Sequence, residues 1–217
     1  MKHILRLFLP IAWLCSLPVC FAQNAQQLAF AGLRAVAGKG QFTAVRNDGA
    51  GHLYLLLDEK DGVRVLKTDA NATQVLAETH LGAQSDIGIA MALDPAGNIY
   101  VTRTTASGSL ASTSGVPFPS RADASTNSFV AKFDADLNTL FVTYAGSGRM
   151  AATAIAVTSD RVFITGGIYA ETLPVTPSAI VQTPAAGSTG NGFVECFSSS
   201  GTALVYATYL SGLDGDV

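Results

Sequence analysis

Three times along the chain an apolar stretch runs into a tight polar turn and out into a second apolar stretch. The copies are Ala44-Val45-Arg46-Asn47-Asp48-Gly49-Ala50-Gly51-His52-Leu53-Tyr54-Leu55-Leu56, then Ala90-Met91-Ala92-Leu93-Asp94-Pro95-Ala96-Gly97-Asn98-Ile99-Tyr100-Val101-Thr102, and more loosely Ala154-Ile155-Ala156-Val157-Thr158-Ser159-Asp160-Arg161-Val162-Phe163-Ile164-Thr165. Each reads as strand, turn, strand. A second block follows each: Arg64-Val65-Leu66-Lys67-Thr68, Phe129-Val130-Ala131-Lys132-Phe133 and Phe193-Val194-Glu195-Cys196-Phe197. Self-similarity on this scale predicts stacked β units. The expected fold class is therefore all-β, a β-propeller with about three four-stranded blades and a ring that this chain leaves incomplete.

The pattern places strands at Phe42–Arg46, His52–Asp58, Val63–Thr68 and Thr73–Glu78 in a first unit, 41–86. A second unit, 87–150, has Ile89–Leu93, Asn98–Thr104, Ser128–Phe133 and Thr139–Tyr144, and a third, 151–215, has Ala154–Val157, Arg161–Gly166, Gly192–Phe197 and Ala203–Tyr209. Asn47-Asp48-Gly49, Asp61-Gly62 and Asp69-Ala70-Asn71-Ala72 supply turn chemistry between them. The spacing from Asp48 to Asp94 is 46 residues, and from Phe129 to Phe193 it is 64. The extra length lies in two loops, 106–126 and 169–191, rich in small residues and proline. Loops this long inside a compact domain are commonly functional or mobile. Residues 23–40 read as an N-terminal segment, in which Gly38 and Gly40 oppose a long helix.

The run Asp94-Pro95-Ala96-Gly97-Asn98-Ile99-Tyr100-Val101-Thr102, followed by Phe118-Pro119 and Ser128-Phe129-Val130-Ala131-Lys132-Phe133, resembles the SBBP β-propeller repeats of secreted bacterial proteins. The third unit is similar through Leu173-Pro174-Val175-Thr176-Pro177, Phe193-Val194 and Ala207-Thr208-Tyr209-Leu210-Ser211-Gly212, but lacks the Asp-x-x-Gly-Asn turn. The first unit lacks the long loop and looks closer to a generic NHL-type blade. The resemblance implies a propeller fold. It implies no common catalytic residues.

Composition narrows the setting. Lys2, His3 and Arg6 precede an apolar run from Leu7 to Leu17, and Cys20-Phe21-Ala22 closes on a small residue. Residues 1–22 are thus expected to be a secretory signal peptide, with the protein secreted, periplasmic or at the cell surface. No later apolar run is long enough for a membrane-spanning helix. Removing 1–22 takes two of the 13 basic residues and none of the 16 acidic ones, so the mature charge is −5. That opposes nucleic-acid binding. It also leaves Cys196 as the single cysteine, so no internal disulfide is expected. Hydrophobic residues make up 48% and charged residues only 13%, which suits sheets covered on both faces.

Candidate chemistry is sparse. Asp134-Ala135-Asp136-Leu137-Asn138 alternates oxygen ligands as a calcium loop does, but Thr139 and Ala145 stand where that loop needs glycine and an acid. It reads as a turn, as does Asp214-Gly215-Asp216. His52 occupies the place of Asn98 and reads as a turn or capping residue. His80 reads as part of a loop with no second histidine or cysteine near it. Gly187-Ser188-Thr189-Gly190-Asn191-Gly192 precedes a strand, so it lacks the helix N-terminus that phosphate-binding loops use. Cys196 reads as a buried, inert thiol. Tyr54, Tyr100 and Phe163 recur at one repeat position and read as core between blades. No catalytic, cofactor-binding or metal residue is assigned, and no cofactor.

The expected function is a binding or scaffold module. Its partners would be a protein or carbohydrate ligand, or further blades of a longer chain, with the contact surface on the two long loops. Tyr209–Val217 resembles the lead into another repeat. The alternatives are a propeller hydrolase or lactonase with a metal in the central channel, and a structural surface or adhesion repeat.

Overall fold

The computed structural model describes residues 40–82, 89–106, 108, 110–121, 126–146, 148–169, 173–184 and 190–210. The expected signal peptide, nearly all of the N-terminal segment, and Asp214–Asp216 lie outside these residues. Among the described residues no helix is long and apolar enough to cross a membrane.

The architecture is all-β, three four-stranded antiparallel sheets packed together as propeller-like blades, with no closed ring among the described residues. Blade 1 comprises β1 (Gln41–Asn47), β2 (Leu53–Glu59), β3 (Gly62–Thr68) and β4 (Val75–Leu81). Blade 2 comprises β5 (Ile89–Leu93), β6 (Ile99–Thr105), β7 (Asn127–Phe133) and β8 (Thr139–Tyr144). Blade 3 comprises β9 (Met150–Val157), β10 (Arg161–Ile168), β11 (Asn191–Ser198) and β12 (Leu204–Leu210). In every blade the strands pair in sequence order. The first strands β1, β5 and β9 lie side by side, so the blades radiate from that line.

Blade 2 is covered on both faces, and β6 is buried along its whole length. This explains why β6 opens on the continuous apolar run Ile99-Tyr100-Val101 rather than an alternation, and why even its threonines and Arg103 are buried. Side chains on a strand point to opposite faces in turn. Ile99 and Val101 therefore join Tyr54, Leu56, Val63 and Val65 of blade 1 in one core. Tyr100 and Val130 face the other way and join Val162, Ile164, Phe193 and Phe197 of blade 3 in a second.

Two strands differ from expectation. β4 begins at Val75, because the Asp69 carboxylate holds the N–H groups of Thr73 and Gln74 in the turn (2.6 and 2.9 Å). β9 begins at Met150, four residues early, because the connection from β8 is short and Met150 N already bonds Thr126 O across the junction.

The outer-hairpin turn has the same form in all three blades. Its fourth residue takes a left-handed conformation, Ala72 (φ 54°), Leu137 (φ 65°) and Gly201 (φ 74°). Blade 3 needs glycine there for a second reason. A Cβ on Gly201 would enter the ring of Phe141 in blade 2. Gly201→Ala is expected to destabilise the fold by about 2 kcal/mol, from the left-handed φ plus the displaced ring. Chemical denaturation measures this. A change below about 0.5 kcal/mol would show that the turn does not seat on Phe141.

Candidate functional site

The polar side chains of this protein are concentrated in its turns and at the junctions between blades. Asp94 ends β5, and its Oδ1 accepts the N–H groups of Ala96 and Asn98, both at 2.9 Å. Its Oδ2 accepts Asn98 Nδ2 (2.7 Å) and the buried Tyr100 hydroxyl (3.1 Å). Burial alone pushes this carboxyl up, but those four bonds and the Lys132 ammonium 3.9 Å away outweigh it and hold the group below its ordinary value. Asp48 does the same in blade 1, accepting Ala50 N, His52 N and His52 Nδ1 (2.8, 3.0 and 2.7 Å). His52 thus takes the place of Asn98 in the turn, as its sequence position predicts. Asp134 repeats the scheme with Asp136 N, Asn138 N and Asn138 Nδ2, each at 2.9 Å. Its carboxylate oxygens are committed to the turn.

A second recurring group joins the blades. Tyr54 of β2 donates its hydroxyl to Ala135 O in the outer turn of blade 2 (3.0 Å). Lys67 of β3 lies 5.9 Å from the centre of the Tyr54 ring and bonds Asp136 Oδ1 at 3.3 Å. One blade on, Lys132 lies 5.0 Å from the centre of the Tyr100 ring and donates to Ser199 O in the outer turn of blade 3 (3.0 Å). The lysine of each pair therefore holds the outer turn of the next blade, joined in the first junction by the Tyr54 hydroxyl, whereas the Tyr100 hydroxyl stays within blade 2 on Asp94. Burial raises both tyrosine pKa values and lowers that of Lys132, against the pull of Asp94. Phe163 and Cys196 hold the equivalent places in blade 3. Phe163 is 37% exposed, which corrects the expectation that it is core between blades. Its strand is the same, but its face has no described blade against it. Cys196 is buried and free, and burial raises its thiol pKa, as expected for an inert thiol.

Two buried ionisable side chains lie between the blades. Arg103 of β6 donates from Nη2 to Asp58 Oδ1 of β2 at 3.0 Å. Glu195 of β11 is fully buried, and both its oxygens accept Gly146 N (3.1 and 3.3 Å). Burial pushes its pKa up to about 8, only partly offset by that N–H. Glu195 stands at the repeat position of Leu66 and Ala131, and Arg103 at that of Leu57. A charged residue in an apolar column of the repeat was the available signal for both.

His80 does not lie in a loop. It is in β4, paired with Arg64, and its Nε2 is 3.9 Å from Asp61 Oδ1. Glu59, Asp61 and His80 place ligand atoms within 4.8 Å of one another, a grouping absent from the sequence reading. Arg64 occupies Glu59 with its guanidinium and approaches Glu78 at 3.6 Å. The arrangement is a surface ion-pair network at the β2–β3 hairpin.

The long loops are not free arms. Residues 110–121 lie along β8, with Thr113 N bonding Val142 O and Tyr144 N bonding Phe118 O. Residues 173–184 lie along β12 in the same way, with Thr176 N on Ala207 O and Tyr209 N on Val181 O. Buried Leu110 and Leu173 anchor the two segments, beside the hydroxyls of Tyr144 and Tyr209. The structural counterpart of Phe118 is therefore Val181, and Leu173 matches Leu110 rather than Phe118. Covering the outer edge satisfies strand groups that would otherwise recruit another chain. Both loops still reach solvent. Ile180 is 87% exposed, and Tyr169 is 55% exposed with Arg149 stacked 5.1 Å from its ring centre. Within Gly187–Gly192, residues 187–189 lie outside the described residues.

No protein-family model matches the chain, and no curated protein matches it.

Proposed function

We propose that this chain is a repeat segment of a secreted β-propeller of the SBBP type and acts as a scaffold and binding module. The observation that carries the reading is the recurrence of a lysine, stacked on a tyrosine of its own blade, on the outer turn of the following blade: Lys67 on Asp136 and Lys132 on Ser199 O. Polar groups placed to join consecutive blades serve assembly. The scaffold presents the exposed parts of its edge loops, chiefly Tyr169 and Ile180 of the 169–191 loop, to a protein or carbohydrate ligand.

The test is to produce residues 23–217 and measure mass by light scattering and unfolding by urea. Blades gain much of their stability from nearest neighbours, so terminal faces left open favour association or early unfolding. The expected result is concentration-dependent association or a low urea midpoint. A monodisperse monomer with a high, cooperative midpoint would overturn the scaffold reading. Mass spectrometry of the exported protein is expected to place Gln23 at the N-terminus, and retention of Met1 would overturn the secreted part.

A further inference from the structure

Blade 1 joins its second and third strands differently from the other two. In blades 2 and 3 that connection is a long loop, which lies along the outer strand, β8 or β12, and ties it down through backbone hydrogen bonds. In blade 1 it is only Lys60–Asp61, between β2 and β3, too short to reach along β4. What stands at that end of the blade instead is Glu59 at the end of β2, Asp61 in the turn and His80 on β4. One ligand atom from each lies within 4.8 Å of the others.

The three groups are set for a shared ion better than for one another. His80 Nε2 and Asp61 Oδ1 are 3.9 Å apart, too far for a hydrogen bond. Two ligands of one zinc ion, each about 2.0–2.2 Å from it, lie about 3.4 Å apart at the tetrahedral angle. Asp61 and His80 are exposed, so small rotations of their side chains close the remaining distance. Gly62 gives the imidazole its seat. A Cβ there would lie 2.8 and 3.0 Å from His80 Cε1 and Nε2, so the ring lies across the bare start of β3 with Nε2 beside the hairpin. Arg64 does not use up the carboxylates. Its Nε and Nη2 both donate to Glu59 Oε1, and its Nη1 is 3.6 Å from Glu78 Oε2. Among the described residues Glu59 Oε2 accepts no hydrogen bond, and Asp61 forms no ion pair except with His80.

We propose that Glu59, Asp61 and His80 form a site for a divalent transition-metal cation, zinc above all, that ties the β2–β3 hairpin to the outer strand β4. One imidazole and two carboxylates make a borderline donor set, and water completes the coordination. Calcium takes six to eight oxygens, which this hairpin does not offer. The ion does for β4 what the long loops do for β8 and β12. The site lies within one blade, so it stands or falls independently of the scaffold reading above.

The test uses residues 23–217, produced without a histidine tag, stripped with a chelator and titrated with zinc chloride at pH 7 by calorimetry. One ion per chain is expected, with a micromolar dissociation constant, and saturating zinc is expected to raise the urea midpoint. His80→Gln and Asp61→Asn, both at exposed positions, are each expected to weaken binding at least about tenfold and to abolish that rise. Asp134→Asn, in the outer turn of blade 2, is expected to leave zinc affinity unchanged. Calcium chloride is expected to bind at least about tenfold more weakly than zinc chloride. A zinc dissociation constant above about 1 mM, or binding that either His80→Gln or Asp61→Asn leaves intact, overturns the site. Calcium binding as tightly as zinc overturns the role of the imidazole.

Discussion

Glu195→Gln is expected to make the protein more stable than wild type at alkaline pH and to flatten its pH dependence. Glu195 is fully buried between blades 2 and 3 and titrates at about 8 rather than at the ordinary 4.5. Between those values the native state holds a proton that the unfolded chain has released. Stability therefore falls as pH rises from 4.5 to 8, and the loss is complete above 8. Below 4.5 both states are protonated and the group contributes nothing. A difference of about 3.5 pH units corresponds to roughly 5 kcal/mol at most. Glutamine keeps the volume and an oxygen for Gly146 N but has no proton to lose. Its buried amide donors offset part of the gain. The expected net effect at pH 9 is about 2–4 kcal/mol in favour of the variant, shrinking towards pH 4.5. Urea unfolding at pH 5, 7 and 9 measures it, and parallel pH profiles for the two proteins would refute it.

Asp94→Ala is expected to cost about 3–4 kcal/mol. The carboxylate is 7% exposed and accepts four hydrogen bonds. Deleting it strands the hydroxyl of Tyr100 inside the core and leaves Lys132 without its nearby anion. Buried polar groups left unpaired cost about 1–3 kcal/mol each. The same residue gives the protein acid sensitivity. Its native pKa lies below the ordinary 3.8, so its stabilisation is present above 3.8 and is lost as pH falls through the lower native value. Asp134→Ala removes the same turn motif at an exposed site and is expected to have a much smaller effect. Thermal or urea unfolding of both variants at pH 7 compares them. Equal losses would show that the turn, and not the buried Tyr100–Lys132 junction, is what Asp94 supports.

The blade plan was legible because it is local. Strand, turn and strand follow from apolar periodicity and from Asp, Asn and Gly at fixed offsets, and these repeat. His52 was readable as a turn residue by its alignment with Asn98, and Cys196 as buried by its place in an apolar strand. His80 was misplaced because the expected strand stopped at Glu78, where the polar run Glu78-Thr79-His80 begins, whereas β4 continues to Leu81. Phe163 was misassigned because the repeat column defines what a position is built for, not whether a neighbour is there to cover it.

By itself, then, the sequence determined the all-β class, the number of blades in the described chain, most strand positions and the turn chemistry, since each depends on residues within a few positions of one another. Tertiary structure alone decided which side chains meet across a junction. Tyr54 reaches Ala135 over 81 residues and Lys132 reaches Ser199 over 67. Glu195 becomes a strongly perturbed acid only because blade 2 and the loop bearing Pro174 close over it, with Gly146 too tightly placed against both for a side chain. That the loops, expected to be functional or mobile, cover strand edges was hidden for the same reason. Hydrogen bonding along β8 and β12 depends on where an outer strand lies in space, and no spacing within the loops encodes that.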